Sequence, residues 1–136
     1  MTNNLEVGQL GENIACLYLK NHKYKIIERN YRQPWGELDI VAKNPEGILV
    51  FVEVKTLCDS NSSGLTPEEN LTKSKLTKLK RTMSLYAGSY PELVHQQKGY
   101  RLDLIAITIP NKIISGAEIE LTKLYKNCVI NYYENI

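Results

Sequence analysis

The chain has 136 residues, 43% of them hydrophobic and 24% charged, which is typical of one globular domain with a single core. No apolar run approaches the ~18 residues of a membrane-spanning helix, and the first residues lack the pattern of a signal peptide. Three widely separated cysteines, with no CxxC pair or Cys/His cluster, argue against a zinc site and against a disulfide framework. We therefore expect one reduced, cytoplasmic domain over residues 1–136, with no membrane partner.

A helix is predicted from about residue 5 to residue 21, because apolar residues recur there on one face of a 3.6-residue period. That face consists of Val7, Leu10, Ile14, Leu17 and Tyr18. Gly8 and Gly11 lie beside it and would let the helix approach a sheet closely. Glu12 lies at the border of the same face, where it is either an ordinary surface glutamate or part of a functional site.

Three strands are predicted next, at about residues 24–32, 37–43 and 48–56. The Asn44-Pro-Glu-Gly47 segment is strong turn chemistry, so the second and third strands should form an antiparallel hairpin. Carboxylates interrupt the apolar runs of both strands, which makes this hairpin the first candidate for a functional site.

A second long helix is predicted from a capping box at residues 66–69 to about residue 90. Its apolar stripe consists of Leu76, Leu79, Met83, Tyr86 and Tyr90. Five basic residues with no acid among them are Lys73, Lys75, Lys78, Lys80 and Arg81. Such a run forms either a surface that faces nucleic acid or an ordinary solvated helix face. Lys75 projects between Leu71 and Leu79, where it either snorkels to solvent or faces a site.

A fourth strand is predicted over residues 100–109, and a short strand near residues 118–124. Arg101 and Asp103 share one face of the fourth strand, and we interpret them mainly as a structural ion pair. The resulting order is α-β-β-β-α-β, an α/β fold with a mixed central sheet flanked by helices.

The length of the hairpin loop decides whether the two strands bring their carboxylates together. If the loop has five residues, Lys43 pairs with Leu49, and Asp39 lies directly opposite Glu53. If the loop has four residues, Asp39 meets Val52 and the two carboxylates point apart. A functional interpretation of the hairpin requires the first arrangement or its equivalent.

Two neighbouring carboxylates would repel each other and raise each other's pKa, and a divalent cation would remove that repulsion. Mg²⁺ usually takes one or two carboxylates together with water and phosphate oxygens. Lys55 lies about 7 Å along the same strand face from Glu53, and Glu12 could add a further ligand. The alternative is a solvated strand face on which Asp39 makes an ordinary cross-strand ion pair.

The spacing of Asp39 and Glu53-Val54-Lys55 resembles the PD-(D/E)XK motif of the restriction-endonuclease-like superfamily, whose core has the predicted element order. More closely, the chain resembles the YraN family of small uncharacterised bacterial proteins, which are related to Holliday junction resolvases. The matching pieces span about residues 7–109 and are Gly8-Gln-Leu-Gly-Glu12 followed by Ala15, Arg29-Asn-Tyr-Arg32, Gly36-Glu-Leu-Asp-Ile40, Phe51-Val-Glu-Val-Lys-Thr56, Lys75 and Arg101-Leu-Asp103.

This resemblance implies a nuclease site with a metal ion. The positions that match the nuclease site are Glu12, Asp39, Glu53 and Lys55. The implied metal ligands are the carboxylates of Asp39 and Glu53 and the carbonyl of Val54, with Mg²⁺ or Mn²⁺ as the cofactor.

The resemblance also implies DNA as the partner of the basic helix. Lys73, Lys75 and Lys78 would contact phosphates without reading base sequence. The family usually has a basic residue directly after its Lys-Thr pair, where this chain has Leu57, so one expected phosphate contact is missing.

The first functional interpretation is therefore an enzyme, a metal-dependent endonuclease that hydrolyses branched or damaged DNA. Symmetric cutting of two strands would require a homodimer, because one domain of this size presents one site. The alternative is a non-catalytic nucleic-acid-binding module that keeps the nuclease fold. A third interpretation is an assembly protein that uses the tyrosine-rich end of the chain, with Tyr125, Tyr132 and Tyr133.

Overall fold

A computed structural model describes residues 4–58, 71–110 and 120–136. Its helices and longer strands are α1 (Asn4–Asn21), β1 (Lys25–Gln33), β2 (Gly36–Lys43), β3 (Leu49–Cys58), α2 (Lys73–Ser89), β4 (Tyr100–Ile109), α3 (Leu121–Asn127) and β5 (Val129–Tyr133). The five strands form one mixed sheet in the order β1-β2-β3-β4-β5. Only β3 and β4 are parallel; the other neighbours are antiparallel. The predicted α-β-β-β-α-β order is confirmed, and it is consistent with a nuclease-like core.

The helices cover both faces of the sheet with apolar side chains. On the α1 face, buried Ile14 and Leu19 pack with strand residues such as Val50. On the α2 face, Met83 and Tyr86 pack with a second set of strand side chains, which includes Leu38, Val41 and Phe51. Because β2 and β3 are covered on both faces, their hydrophobic runs are nearly continuous. No helix within the described parts of the chain is long and apolar enough to cross a membrane.

A single glycine sets the distance between α1 and the sheet. A Cβ on Gly11 would lie 1.7 Å from Thr56 Oγ1, whereas a Cβ on Gly8 would meet nothing within 4 Å. The predicted role of glycine in close packing is therefore right for Gly11 and wrong for Gly8. The buried stripe also differs from the predicted one, since Leu19 is fully buried and Leu17 is only partly buried. This close approach brings the next residue of α1, Glu12, against β3.

The second helix begins later than predicted. Thr72 is its N-cap, with extended backbone, and its hydroxyl accepts a hydrogen bond from Lys75 N at 3.2 Å. A continuous helix over residues 66–90 is therefore wrong, because residues 71 and 72 are not helical. A threonine whose hydroxyl accepts a hydrogen bond from the backbone N–H three residues later is sufficient to cap the start of a helix. The predicted capping box at residues 66–69 lies outside the described residues.

The tail of the chain contains a helix where a strand was predicted. Residues 121–127 form α3, so the strand expected near residues 118–124 is wrong over its described part. Leu124 is buried against α1, and Tyr125 packs beside it. These two residues follow Leu121 by three and four positions, which is the spacing of one helix face. The strand of this tail is β5, which pairs with the outer edge of β4.

Candidate functional site

The β2–β3 hairpin has the five-residue loop that brings its carboxylates together. The register runs from Lys43 opposite Leu49 to Ile40 opposite Val52, and this confirms the first of the two predicted arrangements. Asn44 fixes the loop, because its side-chain Oδ1 accepts hydrogen bonds from the backbone N–H groups of residues 46 and 48 at 3.0 and 2.9 Å. The ladder ends at the pair Ile40 and Val52, and just beyond it the carboxyl groups of Asp39 and Glu53 lie within hydrogen-bonding reach of each other.

Asp39 lies where the alternation of β2 breaks. Leu38 and Val41 both pack on the α2 face, while Ile40 packs on the α1 face. Strict alternation would put Leu38 and Ile40 on the same side. The ladder with β3 ends at Ile40, and Asp39 Oδ2 instead accepts a hydrogen bond from Val54 N at 2.9 Å. The carboxylate of Asp39 is therefore held at the point where the two faces of the sheet meet.

A cleft of about 450 Å³, here called the α2 cleft, separates the hairpin from the second helix. Its walls include Asp39, Glu53 and Lys55 on the strands and Lys75 and Lys78 on the helix. Lys75 lines the cleft together with the leucines at positions 71 and 79. One open space therefore has carboxylates and a lysine on one wall and two further lysines on the other.

A smaller cleft of about 300 Å³, the α1 cleft, lies on the opposite face. It is lined by Glu12, Asp39, Val54 and Lys55, among other residues. Asp39 and Lys55 line both clefts. All the residues predicted for the nuclease site thus surround one short segment of β2 and β3, with Glu12 on one side and Glu53 on the other.

Burial raises the pKa of each of the three carboxyl groups in this region. Burial, followed by the charge of Asp39, raises the pKa of Glu53 to about 8. Burial also raises the pKa of Asp39, against the opposing hydrogen bond from Val54. The pKa of Glu12 is raised first by burial and then by Asp39, with Arg29 acting in the opposite direction. The surroundings therefore stabilise the ionised forms of these carboxyl groups poorly, and a divalent cation is one group that would stabilise them.

Beside Glu12 lies a hydrogen-bonded pair, Arg29 and Asn13, to which the sequence pattern assigned no role. The buried Oε1 of Glu12 has no hydrogen-bond partner within residues 4–58, 71–110 and 120–136. Arg29 lies close enough to oppose the raised pKa of Glu12, and donates from Nη2 to Asn13 Oδ1 at 2.8 Å. Asn30 adopts a φ of +53°, so Arg29 faces α1 while Tyr31 packs on the α2 face. The Arg29-Asn-Tyr-Arg32 motif was the available signal for this pair.

The residues present fit a hard divalent cation that keeps part of its water. In the parts of the chain that the structure describes, no three His, Cys, Asp or Glu side chains form a ready metal cage. Asp39 and Glu53 nevertheless offer two adjacent carboxylates with raised pKa values beside an open cleft. Mg²⁺ needs no more from a protein, because water and substrate phosphate complete its shell. Of the two clefts, Glu12 lines the α1 cleft and not the α2 cleft.

The basic residues of the second helix divide between two grooves. Lys75 and Lys78 line the α2 cleft, whereas Lys73 lines a shallow neighbouring groove with Lys78 and Arg81. Lys78 therefore joins the two grooves into one basic surface. Among the residues that sequence reasoning missed, Gln33 lines the α2 cleft from the end of β1.

Arg101 and Asp103 form a bidentate ion pair, with Arg101 Nε 3.0 Å from Asp103 Oδ1 and Nη2 3.1 Å from Oδ2. Asp103 is fully buried and also accepts hydrogen bonds from the Tyr132 hydroxyl and from Asn135 N. Neither member of the pair lines the α1 or the α2 cleft. The pair fastens the end of the chain to β4, as a structural ion pair does.

The chain was compared with known proteins. The model of the Uncharacterised protein family UPF0102 matches residues 11–107. A UPF0102 protein of Clostridium botulinum strain Loch Maree is 36% identical over 120 residues, which cover 88% of this chain and 93% of the relative. A second, from strain Hall, is 38% identical over the same shares of both chains. A UPF0102 protein of Syntrophomonas wolfei is 43% identical over 88 residues, 65% of this chain and 74% of the relative. This chain therefore belongs to the UPF0102 family, also known as the YraN family.

Proposed function

We propose that this protein is a metal-dependent endonuclease that hydrolyses phosphodiester bonds of DNA. The observation that carries the proposal is the α2 cleft, in which Asp39, Glu53 and Lys55 face Lys75 and Lys78. The acidic wall suits a divalent cation and the basic wall suits a polyanion. A phosphodiester backbone is a substrate that meets both requirements at once.

The carboxylates of Asp39 and Glu53 would hold the cation, with the carbonyl of Val54 as a further oxygen ligand. Bound Mg²⁺ or Mn²⁺ supplies Lewis-acid chemistry, polarising a phosphoryl oxygen and lowering the pKa of bound water. The hydrogen bond from Val54 N keeps the Asp39 carboxylate oriented before substrate arrives.

Lys55 acts on the reacting phosphate itself. It lines both clefts, so its ammonium is available to a phosphate that lies over the segment between Asp39 and Glu53. A fixed cation at this position stabilises the negative charge that develops on the phosphoryl oxygens. Glu12 supports the site from the α1 cleft, where its buried carboxylate orients water.

Lys73, Lys75 and Lys78 bind the phosphates on either side of the reacting one. They belong to one helix and lie along two connected grooves, so they follow a backbone rather than a base pair. Contacts of this kind supply affinity and orientation but no sequence recognition. We therefore propose an enzyme that selects DNA by its structure, such as a branch or a lesion.

The test is cleavage of end-labelled four-way-junction, flap and linear duplex DNA in EDTA, Mg²⁺ or Mn²⁺. The wild type should cut only with metal, and Asp39→Asn and Lys55→Ala should not cut. Lys20→Ala is the matched control, because Lys20 is an exposed lysine on α1 that lines neither cleft. Salt-sensitive binding without cutting would instead favour a non-catalytic nucleic-acid-binding module.

A further inference from the structure

The turn between β1 and β2 presents the only tryptophan of the chain beside the α2 cleft. Gln33 pairs with Gly36, so the turn consists of the two residues Pro34 and Trp35. Gln33, Pro34 and Gly36 all line the α2 cleft. Trp35 itself does not line the cleft, but it lies between two residues that do, and it is 41% exposed, which leaves a large apolar surface in water.

This turn is braced against the second helix. Gly36 is buried, and a Cβ there would lie 2.1 Å from Thr82 Oγ1. Thr82 is itself fully buried, and its hydroxyl donates to Lys78 O at 3.0 Å. Because Gly36 fits directly against this side chain and Pro34 has a fixed φ, the backbone position of Trp35 is set before any ligand binds. A preorganised aromatic ring loses little entropy when a planar partner stacks on it.

We propose that Trp35 stacks on an unpaired base of DNA whose backbone lies in the α2 cleft. The proposal rests on the proposed nuclease function and narrows its substrate to DNA that has unpaired bases next to the cut. The lysines at positions 75 and 78 line the cleft and would bind phosphate, and the exposed indole in the adjoining turn would bind a flat apolar face. Bases inside a duplex already stack on each other, so they are unavailable unless the duplex is opened.

The length of β2 sets the distance between the stacked base and the reacting phosphate. Asp39 lies four residues of extended strand after Trp35, which is about 14 Å at ~3.4 Å per residue. That length corresponds to about four base steps of a stacked strand at ~3.4 Å each. The cut should therefore fall about four nucleotides from the base that contacts Trp35.

The experiment uses the fluorescence of Trp35, which reports on this one position because the chain has no other tryptophan. The Asp39→Asn protein is titrated with a flap DNA, a single strand and a blunt duplex of equal length. Flap and single strand should quench the signal to saturation, and the duplex should leave it nearly unchanged. Trp35→Ala should weaken flap and single-strand binding roughly 5- to 150-fold, as expected for loss of one stacked base. Trp35→Phe should restore most of that loss.

Leu85→Ala is the matched control, because Leu85 is an equally exposed apolar residue that lines neither cleft. Equal quenching by flap and duplex, unchanged flap binding by Trp35→Ala, or no DNA binding at all would overturn the inference. A wild type that binds flap DNA through Trp35 without cutting it removes the nuclease proposal but keeps this inference. A Trp35→Ala protein that binds and cuts flap DNA normally would remove this inference and keep the nuclease proposal.

Discussion

Val54 donates its backbone N–H to Asp39 Oδ2 at 2.9 Å, just beyond the last paired position of β2 and β3. The bond fixes the carboxylate at the point where the α1 and α2 clefts meet. It also opposes the rise that burial causes in the pKa of Asp39. Of the two neighbouring carboxyls, Asp39 is therefore the better prepared to be ionised when a cation arrives, and Glu53 is the one that retains its proton.

Asp39→Asn should preserve the fold and abolish cleavage. An asparagine Oδ1 can still accept the hydrogen bond from Val54 N, so thermal unfolding should change little. The loss of a metal-binding charge should lower the single-turnover rate roughly 100-fold or more. DNA binding should be equal or tighter, because one negative charge has left a cleft that holds phosphate. A cleavage rate equal to that of the wild type would exclude Asp39 from the site.

The metal-free protein should become less stable as the pH rises from about 4.5 to about 8. Glu53 has a folded pKa of about 8 against an ordinary value of 4.5, so the unfolded chain loses its proton first. The stability that protonated Glu53 gives to the folded protein is thus fully present below about pH 4.5 and is lost as the pH rises to about 8. Glu53→Gln should flatten the profile and raise the free energy of unfolding at pH 8.5 by about 1 to 2 kcal/mol, reduced from the full shift by solvent in the cleft.

Urea unfolding of both proteins in EDTA, at several pH values, measures this difference. Added Mg²⁺ should stabilise the wild type at pH 8.5 and should have little effect on Glu53→Gln. Parallel pH profiles for the two proteins would show that Glu53 is not the buried carboxyl described here.

Gly11→Ala and Gly8→Ala form a matched pair on α1. The new Cβ of Gly11→Ala would meet Thr56 Oγ1, Cβ and Cγ2 within 3 Å, so the helix must move away from β3. We expect a loss of about 1 to 3 kcal/mol in the free energy of unfolding. Gly8→Ala meets nothing within 4 Å and should gain about 0.5 to 1 kcal/mol from helix propensity. Equal effects at the two positions in chemical denaturation would contradict the close approach at Gly11.

Lys75→Ala and Lys78→Ala should weaken DNA binding and flatten its dependence on salt. If each lysine contacts one phosphate, each substitution should reduce the slope of log K against log salt by about 1. Fluorescence anisotropy with a labelled flap DNA over a range of salt concentrations gives these slopes. Lys20→Ala should leave the slope unchanged. A change of the same size in this control would mean that only overall charge matters.

The local chemistry of the hairpin predicted its turn but left two registers open, one for each loop length. Asn44 to Ile48 has the composition of a turn, and its length alone determines whether Asp39 meets Glu53. The break in alternation at Asp39 was not predictable, because it depends on which neighbours cover Leu38 and Ile40. An alternating strand pattern predicts only which of two sheet faces each side chain lies on, so it cannot predict a side chain that lies between the faces.

Other differences arose where two local signals competed or where distant contacts decided the outcome. The helix start was predicted at the capping box of residues 66–69, whereas Thr72, which was not among the predicted caps, caps the described helix. A short strand was predicted near residues 118–124, whereas Leu124 is buried in the cluster that includes α1 and lies in a helix. The position of Trp35 depends on the fit between Gly36 and the second helix, which no local pattern encodes.

The most direct test of the central claim is single-turnover cleavage of an end-labelled flap DNA by wild-type protein and by Asp39→Asn and Lys55→Ala, purified in parallel. The account predicts cutting by the wild type with Mg²⁺ or Mn²⁺, none in EDTA, and loss of cutting in both variants while they still bind the DNA. Cutting at the same rate in all three proteins, or no cutting by the wild type with either metal, would contradict it.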